Sequence, residues 1–217
     1  MSSLCEGVLS SCGPEPGCRD KRLVFLEGNL GVGKSSVLAG LASAGCAVAP
    51  EDVDDPAFRG ALLRFQEHPT TSFHLQVAAN VDLLRRVVRA LRAPESMVVL
   101  ERGPVGSEVF SSVGRDRETL DNLELRICGA MLQSAHDLLR SVPVTTLMLT
   151  LEPAAALQHV REQSRPGEDK MGLSYMTDVD RSYRCALAKV PGVVYVDASR
   201  SSAAVTKEVL ALITEKK

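Results

Sequence analysis

Residues Gly28 to Ser35 read G-N-L-G-V-G-K-S and follow the apolar run Leu23-Val24-Phe25-Leu26. This is a G-x-x-x-x-G-K-[ST] loop on the end of a strand, and its chemistry is phosphate binding. The glycines let backbone N–H groups along Gly28, Asn29, Leu30, Gly31, Val32 and Gly33 turn inward around phosphate oxygens, in conformations that a β-carbon blocks. Lys34 then reaches the terminal phosphates and the Ser35 hydroxyl can hold Mg²⁺. Ser36 leads into a helix whose positive end points at the anion. The loop and both its flanks imply a nucleoside triphosphate site rather than a plain glycine turn.

The ends of the other apolar runs carry charge as well. Pro50-Glu51-Asp52 follows Cys46–Ala49, Glu101-Arg102-Gly103 follows Met97–Leu100, and Asp197 follows Val193–Val196. In open α/β sheets ligands bind at the carboxyl ends of the strands, so these are the positions where chemistry is expected. A carboxylate beside a guanidinium suits metal and phosphate binding together, which makes Ser35 and Glu101 candidate metal ligands. No N-K-x-D occurs and the third run does not end in Asp-x-x-Gly, so guanine reading of the GTPase kind lacks its acidic reader. Farther on, Arg161-Glu-Gln-Ser-Arg165-Pro-Gly-Glu168 is dense in charge and broken by Pro and Gly. Arg161 and Arg165 share a helix face. A lid of this kind neutralises charge on a transferring phosphoryl group and excludes water, although the same residues also suit an ordinary solvated loop.

The elements that must position these groups alternate. Strands are expected at Leu23–Leu26, Cys46–Ala49, Met97–Leu100, Val144–Leu151 and Val193–Val196, their near-continuous hydrophobicity suiting a parallel sheet covered on both faces. Helices are expected at Ser35–Ala44, Thr71–Leu91, Glu118–Arg140, Pro153–Glu162, Ser174–Ala188 and Ser201–Thr214. The pattern predicts a three-layer α/β fold, a five-stranded parallel sheet flanked by helices with right-handed crossovers. Arg85, Arg86 and Arg89 read as the solvated side of their helix. Leu123, Ile127 and Met131 share a face that serves the core or packs against a second subunit, so a homodimer is an expectation.

With 217 residues, 45% of them hydrophobic, the chain suits one α/β domain over residues 21–217. Residues 1–20, rich in Ser, Gly, Pro and Cys, read as a disordered leader. Its acids outnumber Arg19, which disfavours a mitochondrial transit peptide. The formal net charge of -2 supplies no global basic field for nucleic acid or membrane. No apolar run is long enough to span a bilayer. The six cysteines form no C-x-x-C pair, which suits a reducing, cytoplasmic setting, with Cys46 and Cys128 expected to be buried.

Together these residues resemble the deoxynucleoside kinase family, from about Leu23 to Ser199. Glu27-Gly28-Asn29 looks like the leading E-G-N of that family's phosphate loop, Pro50-Glu51 its P-E-P-V stretch, and Phe73-His74-Leu75-Gln76 its F-x-F-Q segment. Glu101-Arg102 is similar to its E-R-S motif, and Met171-Gly172-Leu173-Ser174-Tyr175 to the segment that closes the lid. The resemblance implies a P-loop kinase fold with an arginine-bearing lid, ATP as phosphate donor with Mg²⁺, and a deoxynucleoside as acceptor. It implies that Glu51 takes the 5′-hydroxyl proton and that Lys34, Arg102 and Arg165 stabilise the migrating phosphoryl group. Gln76 would then read the base, Phe110 stack on it, and Glu168 bond the sugar 3′-hydroxyl. Phe65 falls where a tyrosine usually makes that bond, and Gly103 replaces the usual serine. The segment Pro104–Glu108 is one residue short, which leaves Ser107 or Glu108 nearest to the base-reading aspartate. Two alternatives stay open: a nucleoside monophosphate kinase of the thymidylate type, and a degenerate homologue that binds nucleotide and acts by interaction.

Overall fold

The computed structural model describes residues 21–68, 72–163 and 172–215. The expected leader with Cys5, Cys12 and Cys18, and the lid residues Arg165, Glu168 and Met171, lie outside the described residues.

The chain alternates strand and helix from the start. β1 (Arg22–Glu27), β2 (Ala47–Ala49), β3 (Met97–Glu101), β4 (Val144–Thr150) and β5 (Val194–Asp197) form one sheet in the order β2-β3-β1-β4-β5. Every pairing is parallel. β1 is therefore central, and successive crossovers pass first to one side of it and then to the other. That reversal opens a crevice at the carboxyl ends of β1 and β3.

The helices are α1 (Lys34–Ser43), α2 (Pro56–Glu67), α3 (Phe73–Arg92), α4 (Pro104–Asp116), α5 (Asn122–Leu139), α6 (Pro153–Gln163), α7 (Leu173–Leu187) and α8 (Ser202–Glu215). The alternation of side chains along a strand decides which helices cover which face. Val24 and Leu26 point into a core with residues of α1, α6 and α8, whereas Leu23 and Phe25 point into a second core with α3 and α5. A third cluster joins Met148 to α4 and α7. Burial of each such aliphatic side chain stabilises the fold by roughly 1.5–3 kcal/mol.

Local signals set the helix starts. Asp55 caps α2 by accepting from the N–H groups of Ala57 and Phe58 at 2.9 and 3.1 Å, with Pro56 at the first helical position. Asp121 and Glu124 form a reciprocal capping box at the start of α5, with bonds of 2.8 and 2.9 Å.

Several details differ from or sharpen the sequence reading. α2 and α4 were not expected, and α5 begins at Asn122, not Glu118. Pro104–Glu108, one residue short of the family pattern, forms the start of α4. Cys128 is buried, but Cys46 is only half-buried at the edge of the sheet. On α5 the core side is Cys128, Leu132, Ala135 and Leu139, which leaves Leu123, 65% exposed, with Ile127 and Leu138 on the outer face.

Candidate active site

The phosphate loop leaves β1 through backbone that favours glycine. Gly31 and Gly33 have φ of 71° and 88°. A β-carbon at Gly31 would also lie 2.2 Å from the Ala156 carbonyl oxygen of α6. Asn29 is buried and ties the loop to α7, its amide donating to the Met176 carbonyl at 2.8 Å. Lys34 is folded back, its ammonium donating to the carbonyls of Gly28 and Asn29 at 3.0 and 2.8 Å. Burial, with a contribution from Arg102, lowers its pKa to about 7.

The end of β3 supplies the next groups. The Ser35 hydroxyl donates to one Glu101 carboxylate oxygen at 3.2 Å, and the Glu51 backbone N–H donates to the other at 3.4 Å. Arg102 makes an ion pair with Glu51, both side chains nearly buried. Burial alone would lower the Arg102 pKa, but Glu51 and the other nearby acids reverse this and raise it, so the guanidinium stays charged. Its carbon lies 5.0 Å from the centre of the Phe110 ring, a cation–π contact.

Arg102 is held by its backbone. Its φ is 51°, and the turn it makes is fixed from beneath by Glu27, which is 0% exposed. One Glu27 oxygen accepts from the N–H groups of Gly103 and Gly106 at 2.9 and 3.1 Å, and the other accepts from the Tyr183 hydroxyl at 3.1 Å. Burial raises the Glu27 pKa against these bonds. The carboxylate thus satisfies open N–H groups at the start of α4 and joins β1, the Arg102 turn and α7.

From above, the turn is held by Arg86. This arginine is 4% exposed, pairs with Asp82 at 2.6 Å, and donates to the carbonyls of Glu101 and Arg102. The sequence reading had it on the solvated side of its helix. The structure corrects that, because Arg86 shares the buried face of α3 with Leu83, Val87 and Ala90.

A cavity of about 680 Å³ runs from the phosphate loop across this cluster. It brings together Leu30, Gly31, Gly33, Lys34, Ser35, Ser36, Glu51, Phe65, Gln76, Glu101, Arg102 and Phe110 of the expected residues. Gly28 and Asn29 belong to the same loop, and Val32 is packed in the core behind it. Arg161 stands exposed in the last turn of α6. Several further lining residues escaped the sequence reading. Phe58, Leu62 and Gln66 come from the unforeseen α2, Arg86 from α3, and Arg117 from the turn after α4. Tyr175, placed in the sequence reading only as part of the lid-closing segment, also lines the cavity, and burial pushes its hydroxyl up to about 12. Arg117 is engaged by Asp178 at 2.6 Å and by the Tyr175 ring.

A parallel sheet with a glycine-rich loop leading from its central strand into α1, and arginines and carboxylates over the next strand end, defines a P-loop phosphotransferase. Residues 24–216 match the sequence profile of the deoxynucleoside kinase family. The chain belongs to that family, and is therefore a phosphotransferase that phosphorylates nucleosides with a nucleotide as donor. It is 28% identical over 199 residues to the thymidine kinase of Ictalurid herpesvirus 1 (strain Auburn), covering 88% of this chain and 86% of that one. It is 24% identical to the thymidylate kinase of Idiomarina loihiensis, covering 89% and 97%. The fold is similar to that of a deoxyadenosine kinase from M. mycoides solved with the products dCMP and dCDP, with a TM-score of 0.73 at 15% identity over 89% of this chain and 99% of that one. Among the described residues no helix is long and apolar enough to cross a membrane.

Proposed function

We propose that the chain transfers the γ-phosphoryl group of ATP to the 5′-hydroxyl of a deoxynucleoside, with Glu51 as general base. One observation carries the reading: the Glu51 carboxylate meets the Arg102 guanidinium in the same cavity as Lys34, Ser35 and Gln76. The 5′-oxygen attacks the γ-phosphorus as the bond to the β,γ-bridging oxygen breaks, ADP leaves, and the hydroxyl proton passes to Glu51. The transition state is loose, so positioning and charge stabilisation dominate and the base has a late, modest task. Arg102 keeps one buried N–H, on Nε, with no partner among the described residues, a donor that suits a phosphoryl oxygen. Lys34 turns from its loop carbonyls to the terminal phosphates. Arg161 and Arg165 would add positive charge from the lid, and Glu168 would accept from the sugar hydroxyl.

Ser35 and Glu101 offer hard oxygens 3.2 Å apart, a set that fits Mg²⁺, which in kinase sites takes one or two protein oxygens and completes its shell with phosphate and water. Bound there, Mg²⁺ would neutralise charge on the β- and γ-phosphates. Gln76 would read the base edge with its amide and Phe110 would stack against the ring.

The pocket arginines favour a neutral acceptor over a nucleoside monophosphate. Arg86 is committed to Asp82 and to backbone carbonyls, and Arg117 to Asp178. Comparing thymidine with thymidylate as acceptor tests this. Phosphorylation of thymidine supports it, and turnover with thymidylate alone would overturn it.

The exposed Leu123, Ile127 and Leu138 on α5 support a homodimer through that face, since a monomer gains nothing from such a row in water. Ile127→Glu should then halve the mass measured by sedimentation, and an unchanged monomeric mass for the wild type would rule the dimer out. Cys46, Cys128 and Cys185 are free thiols, which suits a cytoplasmic setting.

A further inference from the structure

The stripe that α2 turns to the cavity is Phe58, Leu62, Phe65 and Gln66, positions that recur at helical spacing. The first three carry no polar atom beyond the backbone. Gln66 is the polar side chain that α2 contributes, and its amide nitrogen has under 1 Å² of exposed surface and no hydrogen-bond partner among the described residues. Other polar groups of the cavity wall already have partners. Ser72 and Thr119 bond each other at 2.9 Å, and Arg117 is held by Asp178 and Ser174.

A buried donor left unmade costs free energy, and buried amides are nearly always paired. Gln66 stands beside the exposed Glu67 and His68 at the end of its helix. An outward rotamer would therefore give its amide to water at little cost. The inward, dry placement makes physical sense with an acceptor oxygen in the cavity, and the molecule that occupies this cavity during turnover is the nucleoside.

We propose that Gln66 is a nucleoside-binding residue whose amide nitrogen donates a hydrogen bond to a substrate oxygen. This rests on the kinase activity assigned above. Two oxygens share the chemistry: the sugar 3′-hydroxyl and a carbonyl of the base. The assignment also answers a departure seen in the sequence. Phe65 has no hydroxyl with which to hold the sugar, and the next residue on the same wall supplies a polar group instead.

The experiment uses the full chain with Gln66→Leu and Gln66→Met, which keep size and helix propensity but lack the donor. Calorimetric titration of the four natural deoxynucleosides, and of the 3′-deoxy analogue of the tightest one, is read alongside KM and kcat. Both variants should weaken nucleoside binding by roughly 3- to 10-fold, the worth of one net hydrogen bond, while KM for ATP stays unchanged. If the loss disappears with the 3′-deoxy analogue, the partner is the sugar hydroxyl; if it persists, the partner is a base carbonyl. Unchanged binding in both variants overturns the proposal. Nucleoside binding without turnover in the wild type would instead overturn the activity, with the Gln66 loss still readable in the titration.

Discussion

Gly103 stands directly after the Arg102 turn, and a serine in its place tests whether that turn is packed to its limit. A β-carbon at Gly103 would lie 2.5 and 2.6 Å from two atoms of the Phe25 ring. Phe25 is 2% exposed and fixed in the core beneath β1 and β3. The backbone cannot retreat freely, because the Gly103 N–H is bonded to Glu27 at 2.9 Å and Arg102 already holds φ 51°. Overpacking of this kind costs ~1–3 kcal/mol. For a chain of 217 residues each kcal/mol lowers Tm by about 2–4 °C. Phe25→Ala alone should cost ~3–5 kcal/mol through the cavity it leaves. In that background the added serine meets no ring, so the two changes should couple by at least ~1 kcal/mol. Urea unfolding of the four members of the cycle measures the coupling, and kcat should fall in Gly103→Ser and recover in part in the double variant. A serine that is harmless in the wild type, or equally costly in both backgrounds, would refute the reasoning.

Three other outcomes follow from the same geometry. With the Lys34 pKa near 7 in the free loop, ATP affinity should fall as pH rises above about 7, by up to tenfold per unit, because only the ammonium binds phosphate. Over the same interval stability of the free protein should rise, by at most ~1.4 kcal/mol per unit, since the unfolded chain still holds the proton that folded Lys34 has lost; affinity and stability moving together would contradict this. Glu27→Leu strands the N–H groups of Gly103 and Gly106 at ~1–3 kcal/mol each and should abolish detectable turnover, whereas Glu27→Gln keeps the oxygen that accepts both. Equal kcat and equal unfolding midpoints for the two variants would remove Glu27 from the account. Asp121→Ala should cost ~1 kcal/mol in urea unfolding by opening the α5 capping box, with kcat unchanged; a large loss of kcat would tie α5 to the site in a way the structure does not indicate.

The sheet and the phosphate loop were legible because buried parallel strands are apolar throughout and the loop chemistry demands fixed residues at fixed spacing. Strand ends then located Glu51 and Glu101-Arg102 before any geometry was known. α4 was hidden because its residues are poor helix formers: Gly106, Gly114, Ser107, Ser111 and Ser112. The two glycines stand where space is short, Gly106 against Glu27 and Tyr183 and Gly114 against Leu120. α2 did carry a readable signal in Asp55-Pro56. Arg86 was misread because charge outweighed register; its place beside Leu83 and Val87 on the helical wheel could have shown it facing inward. Gln66 had no local signal, since a donor without a partner is a property of the folded cavity and not of the chain.

The central claim is that Glu51 receives the proton as the nucleoside is phosphorylated. Glu51→Gln, assayed for phosphorylation of the preferred deoxynucleoside and titrated for its binding, tests it most directly. The account predicts that turnover falls by about 10²-fold or more while nucleoside affinity stays within roughly threefold. Turnover retained at the wild-type rate would contradict it.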